Sequence, residues 1–188
     1  MRLFRSVVLY AGLALGANAA MADTAALEAL REGSMKKLLF IGEPKAAPQT
    51  PFFDADGNPH TLAEYKGKYI LLNFWATWCP PCLAEMPSLD RLQTEIGGKN
   101  FQVVTIATGR NSVRGIKQFF DRVGVKNMPI LLDTKQALAR KMGVFGLPIS
   151  IILDPQGREI ARLRGDAEWD SDSAKSIFKA LLSEGADS

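Results

Sequence analysis

The sequence contains few of the side chains that bind metal ions. Its 188 residues include one histidine, His60, and two cysteines, Cys79 and Cys82. A structural zinc site uses four ligands, drawn mainly from cysteine and histidine. The cysteines form one Cys-x-x-Cys pair, no second pair follows, and His60 lies in a predicted loop. We therefore expect no metal and no bound cofactor, although two thiolates, helped by a methionine such as Met86, would suit Cu(I).

A strong excess of charge of one sign is also missing. The chain has 23 basic and 20 acidic residues, a formal net charge of +3. Arg2 and Arg5 lie in a segment that we expect to be removed, and without them 21 basic residues face 20 acidic ones. A nearly neutral protein gives no electrostatic reason to bind nucleic acid or an anionic membrane. We expect neither as a partner.

The longest uncharged hydrophobic run in the chain is shorter than a typical membrane-spanning helix. The uncharged run Ser6–Ala22 has 17 residues, against the ~20 that a membrane helix needs. It follows Arg2 and Arg5 and ends in small residues, a pattern typical of a signal peptide cleaved after Ala19 or Ala22. We predict a signal peptide over residues 1–22, with a membrane anchor as the alternative. In both cases the domain lies outside the cytoplasm, and the pattern suggests a bacterial periplasm.

The residues with distinctive chemistry are concentrated in the stretch Trp75–Cys82. It holds both cysteines and two of the three tryptophans. The apolar run Tyr69–Phe74 before it predicts a buried strand. After Pro81, apolar residues recur at three- and four-residue steps, which predicts an amphipathic helix. The cysteines therefore lie where a strand ends and a helix begins.

The rest of the chain alternates predicted strands and helices. Residues 23–50 are expected to form a short helix and a linker or extended edge, and residues 51–188 a single domain. The other predicted strands lie within 52–59, 101–107, 129–132, 149–153 and 159–163, and the other predicted helices within 61–65, 112–123, 133–142 and 173–182. The last two strands flank a turn that is typical of a hairpin. This order predicts an α/β fold with a sheet of mixed strand direction.

The spacing of the cysteines favours redox chemistry over a structural crosslink. A disulfide between them closes a very small loop and would stabilise the fold by about 2 kcal/mol, against ~3 kcal/mol for a 15-residue loop. Cys79 begins the helix, where free N–H groups and the helix dipole favour a thiolate. Lowering its pKa from ~8.5 to ~7 would raise the thiolate fraction at neutral pH from about 3% to roughly half. Pro80 suits the first helical position, which needs no N–H donor.

The stretch Phe74–Cys82 resembles the active-site signature of the thioredoxin superfamily, and its details are similar to the exported branch of TlpA- and ResA-like disulfide reductases. Further matches are Gly67-Lys68, Glu85-Met86-Pro87, Gly146-Leu147-Pro148, Asp154-Pro155-Gln156-Gly157 and Gly165-Asp166-Ala167-Glu168-Trp169. The last of these is most similar to the TlpA members of the branch. The resemblance implies a thioredoxin-like fold with an N-terminal extension and the family's central insertion.

The resemblance also implies roles for individual residues. Cys79 would be the attacking thiolate, and Cys82 the buried thiol that resolves the mixed disulfide. Pro148 would be a cis-proline that faces the cysteines and exposes backbone for a client strand. We expect the client to be bound by Trp78, Pro80, Leu147 and Pro148. Trp75, by contrast, is expected in the core.

Glu85 is the predicted proton carrier. It lies one helical turn beyond Cys82 and can approach the pair from the inner side of the helix. Thioredoxins carry a buried aspartate six residues before the first cysteine, where this chain has Asn73, which cannot titrate. Glu85 is then the best candidate to move protons to and from Cys82, and an ordinary solvated glutamate is the alternative.

Two departures from the family pattern limit the comparison. The family often has threonine after the cis-proline, whereas this chain has Ile149, which removes a hydroxyl near the site. TlpA proteins carry a second, structural cysteine pair, which is absent from this sequence. The first difference bears on client choice and the second on assignment to the TlpA type.

The resemblance implies a monomeric thiol–disulfide oxidoreductase that works as a protein-disulfide reductase and is reduced again by a membrane thiol electron donor. Its implied clients are copper-delivery proteins, the copper-binding subunit of cytochrome oxidase, or apocytochrome c. The alternatives are a Cu(I)-binding chaperone that uses the same cysteines, a general periplasmic redox or antioxidant protein, and a non-catalytic interaction domain. The reducing direction follows from the resemblance alone, because sequence does not reveal a reduction potential.

Overall fold

The computed structural model describes residues 24–184, which form one mixed sheet flanked by helices. The elements are α1 (24–29), a 3₁₀ helix Gly33–Lys37, β1 (Leu39–Ala46), β2 (Phe52–Asp54), β3 (Pro59–His60), a 3₁₀ helix Leu62–Tyr65, β4 (Tyr69–Trp75), α2 (Pro80–Ile96), β5 (Phe101–Thr108), α3 (Val113–Val123), β6 (Leu131–Asp133), α4 (Ala137–Lys141), β7 (Ile149–Leu153), β8 (Arg158–Arg164) and α5 (Asp172–Glu184). The expected α/β fold with strands of both directions is confirmed.

The sheet has the order β1-β8-β7-β4-β5-β6-β2-β3. Strand β4 runs parallel to β5 and antiparallel to β7, and β5 runs parallel to β6. Because β4 has a partner on both sides and helices on both faces, nearly all of it is buried. This is why its sequence is a continuous apolar run. Because β4 is central, the residues that directly follow its carboxyl end lie at the middle of one edge of the sheet.

The two faces of β4 pack against different helices. Leu71 and Trp75 contribute to a core that contains the apolar sides of α2, α3 and α5. Ile70, Leu72 and Phe74 contribute to the opposite core, which contains α4. Asn73 belongs to the first face and is aligned with Thr105 on β5 and Ser150 on β7. A row of three polar side chains therefore crosses an otherwise apolar layer beneath α2.

Short-range hydrogen bonds hold the predicted helices and the predicted hairpin turn. The Ser112 hydroxyl accepts from the Gly115 N–H at the start of α3 (3.1 Å). The Asp133 carboxylate accepts from the backbone N–H groups of Ala137 and Ala139 and so caps α4. In the turn between β7 and β8, Asp154 Oδ1 accepts from two backbone N–H groups, and Gly157 has a positive φ of 79°. These contacts join residues close in sequence, and they lie in the helices and the turn that composition and spacing predicted.

The N-terminal part of the described chain adds an edge strand to the predicted domain. Part of the segment expected to be a linker or an extended edge forms β1, an edge strand that begins at Leu39 and pairs antiparallel with β8. The extended edge is thus confirmed, and the sheet starts before residue 51. Most β1 side chains are exposed, and the strand is held at the sheet edge by backbone pairing. A strand with little burial has no hydrophobic alternation, and its sequence therefore resembles a loop.

The predicted signal peptide, residues 1–22, lies outside the described residues. From residue 24 to residue 184, no helix has both the length and the apolar character needed to cross a membrane.

Candidate active site

Cys79 and Cys82 form a disulfide at the beginning of α2, with Cα atoms 5.3 Å apart. Cys79 is the residue immediately before the helix, and its carbonyl accepts the Leu83 N–H. Pro80 occupies the first helical position, where the N–H that proline lacks would have had no partner. Cys79 is 5% exposed and Cys82 0%. Of the two cysteines, only Cys79 therefore has surface that a molecule approaching from solvent can reach.

A groove of about 580 Å³ opens over Cys79. One wall is formed by Trp78, Pro80 and Pro81, and the other by residues of α4 and of the loop that ends at Leu147. The indole of Trp78 is 60% exposed, as expected for a contact surface. Trp75 is buried and stacks on Phe120 at a ring distance of 5.7 Å, as expected for a core residue.

The Leu147–Pro148 peptide bond is cis, as the resemblance implied. Leu147 lines the groove together with Cys79, whereas Pro148 lines an adjoining depression that shares Leu147 with the groove. The Pro148 carbonyl accepts the Gly165 N–H at 3.0 Å. Of the four residues predicted to bind a client, Trp78, Pro80 and Leu147 therefore line the groove itself, and Pro148 lies beside it.

Phe145 and Arg140 also line the groove, and sequence analysis missed both. Phe145 is 90% exposed, more than the other exposed large hydrophobic residues of the described chain, Leu39, Phe53 and Trp78. Phe145 lies between Gly143 and Gly146. This pattern indicates a loop but does not show which part of the fold the loop contacts. Arg140 is on α4, far from the cysteines in sequence. Only the folded chain brings α4 next to Trp78.

Glu85 lies in the core beneath α2 and is 2% exposed. Its Oε1 accepts from Asn73 Nδ2 (2.7 Å), and its Oε2 accepts from Trp169 Nε1 (3.1 Å) and the Ala167 N–H (3.2 Å). Burial raises the pKa of Glu85 to about 7, although these three donors oppose the rise. Glu85 is thus a buried carboxyl that gains and loses its proton near neutral pH, on the helix face that also carries Cys82.

Asn73 can adapt to either protonation state of Glu85. Its Nδ2 donates to Glu85 Oε1 and to Ser150 Oγ (2.9 Å), and its Oδ1 is buried without a partner among the described residues. A rotated amide would present Oδ1 to a protonated Glu85, and the Ser150 hydroxyl can serve either orientation because it both donates and accepts. Asn73 therefore pairs with the carboxylate as it stands and with the acid after a half-turn of its amide.

A Trp169→Phe substitution should raise the pKa of Glu85 above its present value of about 7. It keeps an aromatic ring in the core and removes the indole N–H, a donor that favours the ionised carboxylate. Carbon-13 NMR titration of the glutamate carboxyls would measure the change. We also expect a loss of about 1–3 kcal/mol of stability, since volume and a hydrogen bond are removed together.

Trp75→Phe is the matched control for this substitution. Trp75 is equally buried and packs on Phe119 and Phe120 rather than on Glu85. It should cost packing energy and leave the Glu85 titration in place. An unchanged titration in Trp169→Phe would mean that the indole hydrogen bond does not stabilise the carboxylate.

Comparison with known proteins gives concordant matches. A family model described as Redoxin matches residues 42–182. The chain is 31% identical over 131 residues to the thiol-disulfide oxidoreductase ResA of Bacillus thuringiensis, covering 70% of this chain and 73% of that protein. It is similar to the solved structure of a thiol:disulfide interchange protein of the thioredoxin family from Chlorobium tepidum, with a TM-score of 0.61, 29% identity, and coverage of 74% and 97%. It is also similar to an exposed lipoprotein thioredoxin of Streptococcus pneumoniae, with a TM-score of 0.59, 28% identity, and coverage of 72% and 99%.

Proposed function

The chain belongs to the Redoxin family and is a thiol–disulfide oxidoreductase with a thioredoxin-like fold, and from this premise we propose that it works as a protein-disulfide reductase outside the cytoplasm. The observation that carries the proposal is the unequal exposure of the two cysteines, with Cys79 at the floor of a groove and Cys82 sealed behind it. This arrangement suits a two-step exchange in which one sulfur meets the client and the other acts afterwards.

The first step begins from the reduced dithiol. The Cys79 thiolate attacks one sulfur of a client disulfide, a Cys79–client disulfide forms, and the second client sulfur leaves as a thiolate that takes up a proton. In the second step the Cys82 thiolate attacks Cys79 Sγ, and the remaining client thiolate is released. The client gains two electrons and the protein is left with the Cys79–Cys82 disulfide. A dithiol donor in the membrane then returns two electrons to the pair.

Glu85 has the properties required to remove the proton from Cys82 in the second step. A general base is most effective when its pKa lies near the working pH, and the pKa of Glu85 is about 7. Cys82 and Glu85 are both buried and lie one turn apart on α2. We propose that the carboxylate accepts the Cys82 proton and gives it up again when the pair is reduced. No bound cofactor is needed, because the cysteine sulfurs carry the electrons.

The proposed clients are exported proteins with a reducible disulfide. The family resemblance suggests copper-delivery proteins, the copper subunit of cytochrome oxidase, or apocytochrome c. An extracytoplasmic location is supported by the N-terminal sequence and by the likeness to an exposed lipoprotein thioredoxin. In an oxidising compartment a reductase must be held in the dithiol form by a donor. We therefore propose a membrane thiol donor as the second partner. The protein acts as a monomer that carries electrons from this donor to the client.

The reduction potential tests the direction of electron flow. Equilibration of the purified protein with glutathione or dithiothreitol buffers should give a value close to the about −270 mV of thioredoxin. The reduced protein should also reduce insulin disulfides. A potential near the about −120 mV of a strong oxidant would contradict the reductase assignment. Tight Cu(I) binding by the dithiol, with no disulfide reduction, would favour the copper-chaperone alternative instead.

A further inference from the structure

Three adjoining depressions surround Cys79. The central one is the groove described above. A second shares Trp78 and Gln136 with it and extends to Arg110. A third shares Phe145 and Leu147 with it and extends to Arg164. Together they form a continuous track whose central part is lined by Cys79, and the exposed aromatic residues Trp78 and Phe145 lie where the outer parts join it.

Each part of this track contributes one arginine, namely Arg110, Arg140 and Arg164. All three side chains are exposed. No aspartate or glutamate lines any of the three depressions. The track is therefore positive along its length, although the chain as a whole is nearly neutral.

The three arginines are not neutralised by carboxylates elsewhere. Between residues 24 and 184, none of the ion pairs includes them, whereas Arg91, Arg158 and Arg162 are paired. Arg140 donates a hydrogen bond to the neutral side-chain amide of Gln136 (3.2 Å).

Two carboxylates that lie close to the track in sequence already have other partners. Asp133 is buried and accepts two N–H groups of α4. Asp166, which follows the third depression in sequence, forms an ion pair with Lys37. The positive charge along the track is therefore available to a bound molecule.

We propose that the track selects clients in which acidic residues and an apolar residue flank the reactive cysteine in an extended segment. This inference rests on the proposed function and names the chemistry of its substrate. The exposed rings of Trp78 and Phe145 contact the apolar residue, and the three arginines attract the carboxylates. Complementary charge acts mainly on the association rate and on discrimination against wrong partners. A segment with basic flanks is repelled by the same arginines.

Three synthetic peptides test the proposal. They have the same length and one internal disulfide, and they differ in carrying glutamate, glutamine or lysine on both sides of the reactive cysteine. The second-order rate constant for oxidation of the reduced protein is measured at low and at high salt. We expect the acidic peptide to react about tenfold faster than the neutral one at low salt, and the basic peptide more slowly still. The differences should shrink at high salt, because salt screens exposed charges.

Charge reversal locates the preference on the protein. Arg110→Glu, Arg140→Glu and Arg164→Glu should each slow the acidic peptide by about threefold to fivefold, as expected for exposed pairs, and the triple variant should prefer the basic peptide. The ratio of acidic to neutral rates separates docking from any effect of these charges on the Cys79 sulfur. Lys99→Glu is the control, because exposed Lys99 precedes β5 at the sheet end opposite the cysteines.

The possible outcomes separate the inference from the function on which it rests. Reduction of all three peptides at equal rates, or loss of the acidic preference in Lys99→Glu, would overturn the inference and leave the reductase function intact. Failure of the dithiol to reduce even the neutral peptide would overturn the proposed function itself.

Discussion

A Cys82→Ser variant should accumulate as a mixed disulfide with its client, and a Cys79→Ser variant should have only the background rate of disulfide reduction. Cys79 is the sulfur that faces the groove, so its loss removes the nucleophile. Cys82 is fully buried behind it, so its loss removes only the resolving step. Non-reducing electrophoresis and mass spectrometry of material purified from cells would detect the trapped complex and identify the client.

The two single variants control for each other. Each removes the disulfide and introduces one hydroxyl, so both should show a similar change in thermal stability while differing completely in trapping. Trapping by Cys79→Ser instead of Cys82→Ser would reverse the proposed roles. If the double serine variant restored a deletion strain fully, the redox function would be excluded and a non-catalytic interaction domain favoured.

A Glu85→Gln variant should be more stable than the natural protein above neutral pH. The pKa of Glu85 is about 7 in the folded protein against 4.5 for an ordinary glutamate, so the folded chain binds this proton more tightly than the unfolded chain. Between these pH values the natural protein therefore loses stability as pH rises. At 1.36 kcal/mol for each pH unit the loss approaches about 3 kcal/mol. Denaturant titrations at pH 4 to 8 would measure the difference, which should be absent near pH 4 and largest near pH 8.

The same variant should slow the release of client. Removing a general base of suitable pKa costs about 10²–10⁴ in rate, and the glutamine amide cannot accept the Cys82 proton. Release from a preformed mixed disulfide should rise with pH around 7 in the natural protein and lack that inflection in Glu85→Gln. Glu43→Gln, on exposed strand β1, is the control for the chemical change. A retained inflection in Glu85→Gln, with an unchanged rate, would show that another group carries the proton.

The elements around the cysteines follow patterns that lie close together in the sequence. The structure confirms three such patterns: the apolar run of β4, the three- and four-residue spacing of α2 and the turn at Asp154. Each depends on residues only a few positions apart in the sequence. The segment that forms the exposed edge strand β1 was expected to be either a linker or an extended edge, because its side-chain pattern does not distinguish the two. Its position depends on pairing with β8, more than a hundred residues away.

The candidate site divides in the same way. Four of its residues, Trp78, Cys79, Pro80 and Cys82, lie within five positions of the sequence. Their roles could be predicted because the strand–helix junction positions all four. The client-facing wall is different. Phe145 and Arg140 reach the groove only because α4 packs on the opposite face of β4 from α2. The spacing of apolar residues within a loop does not predict which surface of the fold that loop will contact.

The sequence by itself determined the redox pair, its place at the start of α2 and the α/β order of the chain, because each depends on short-range spacing and on the chemistry of two thiols. Tertiary structure decided the burial, the hydrogen-bond partners and the pKa of Glu85. The donors that hold it come from β4, twelve residues away, and from Ala167 and Trp169, 82 and 84 residues away. Its burial comes from the packing of α2 on the sheet. The pKa of a carboxyl depends on its dielectric surroundings and its hydrogen-bond donors, and these exist only once distant segments have come together.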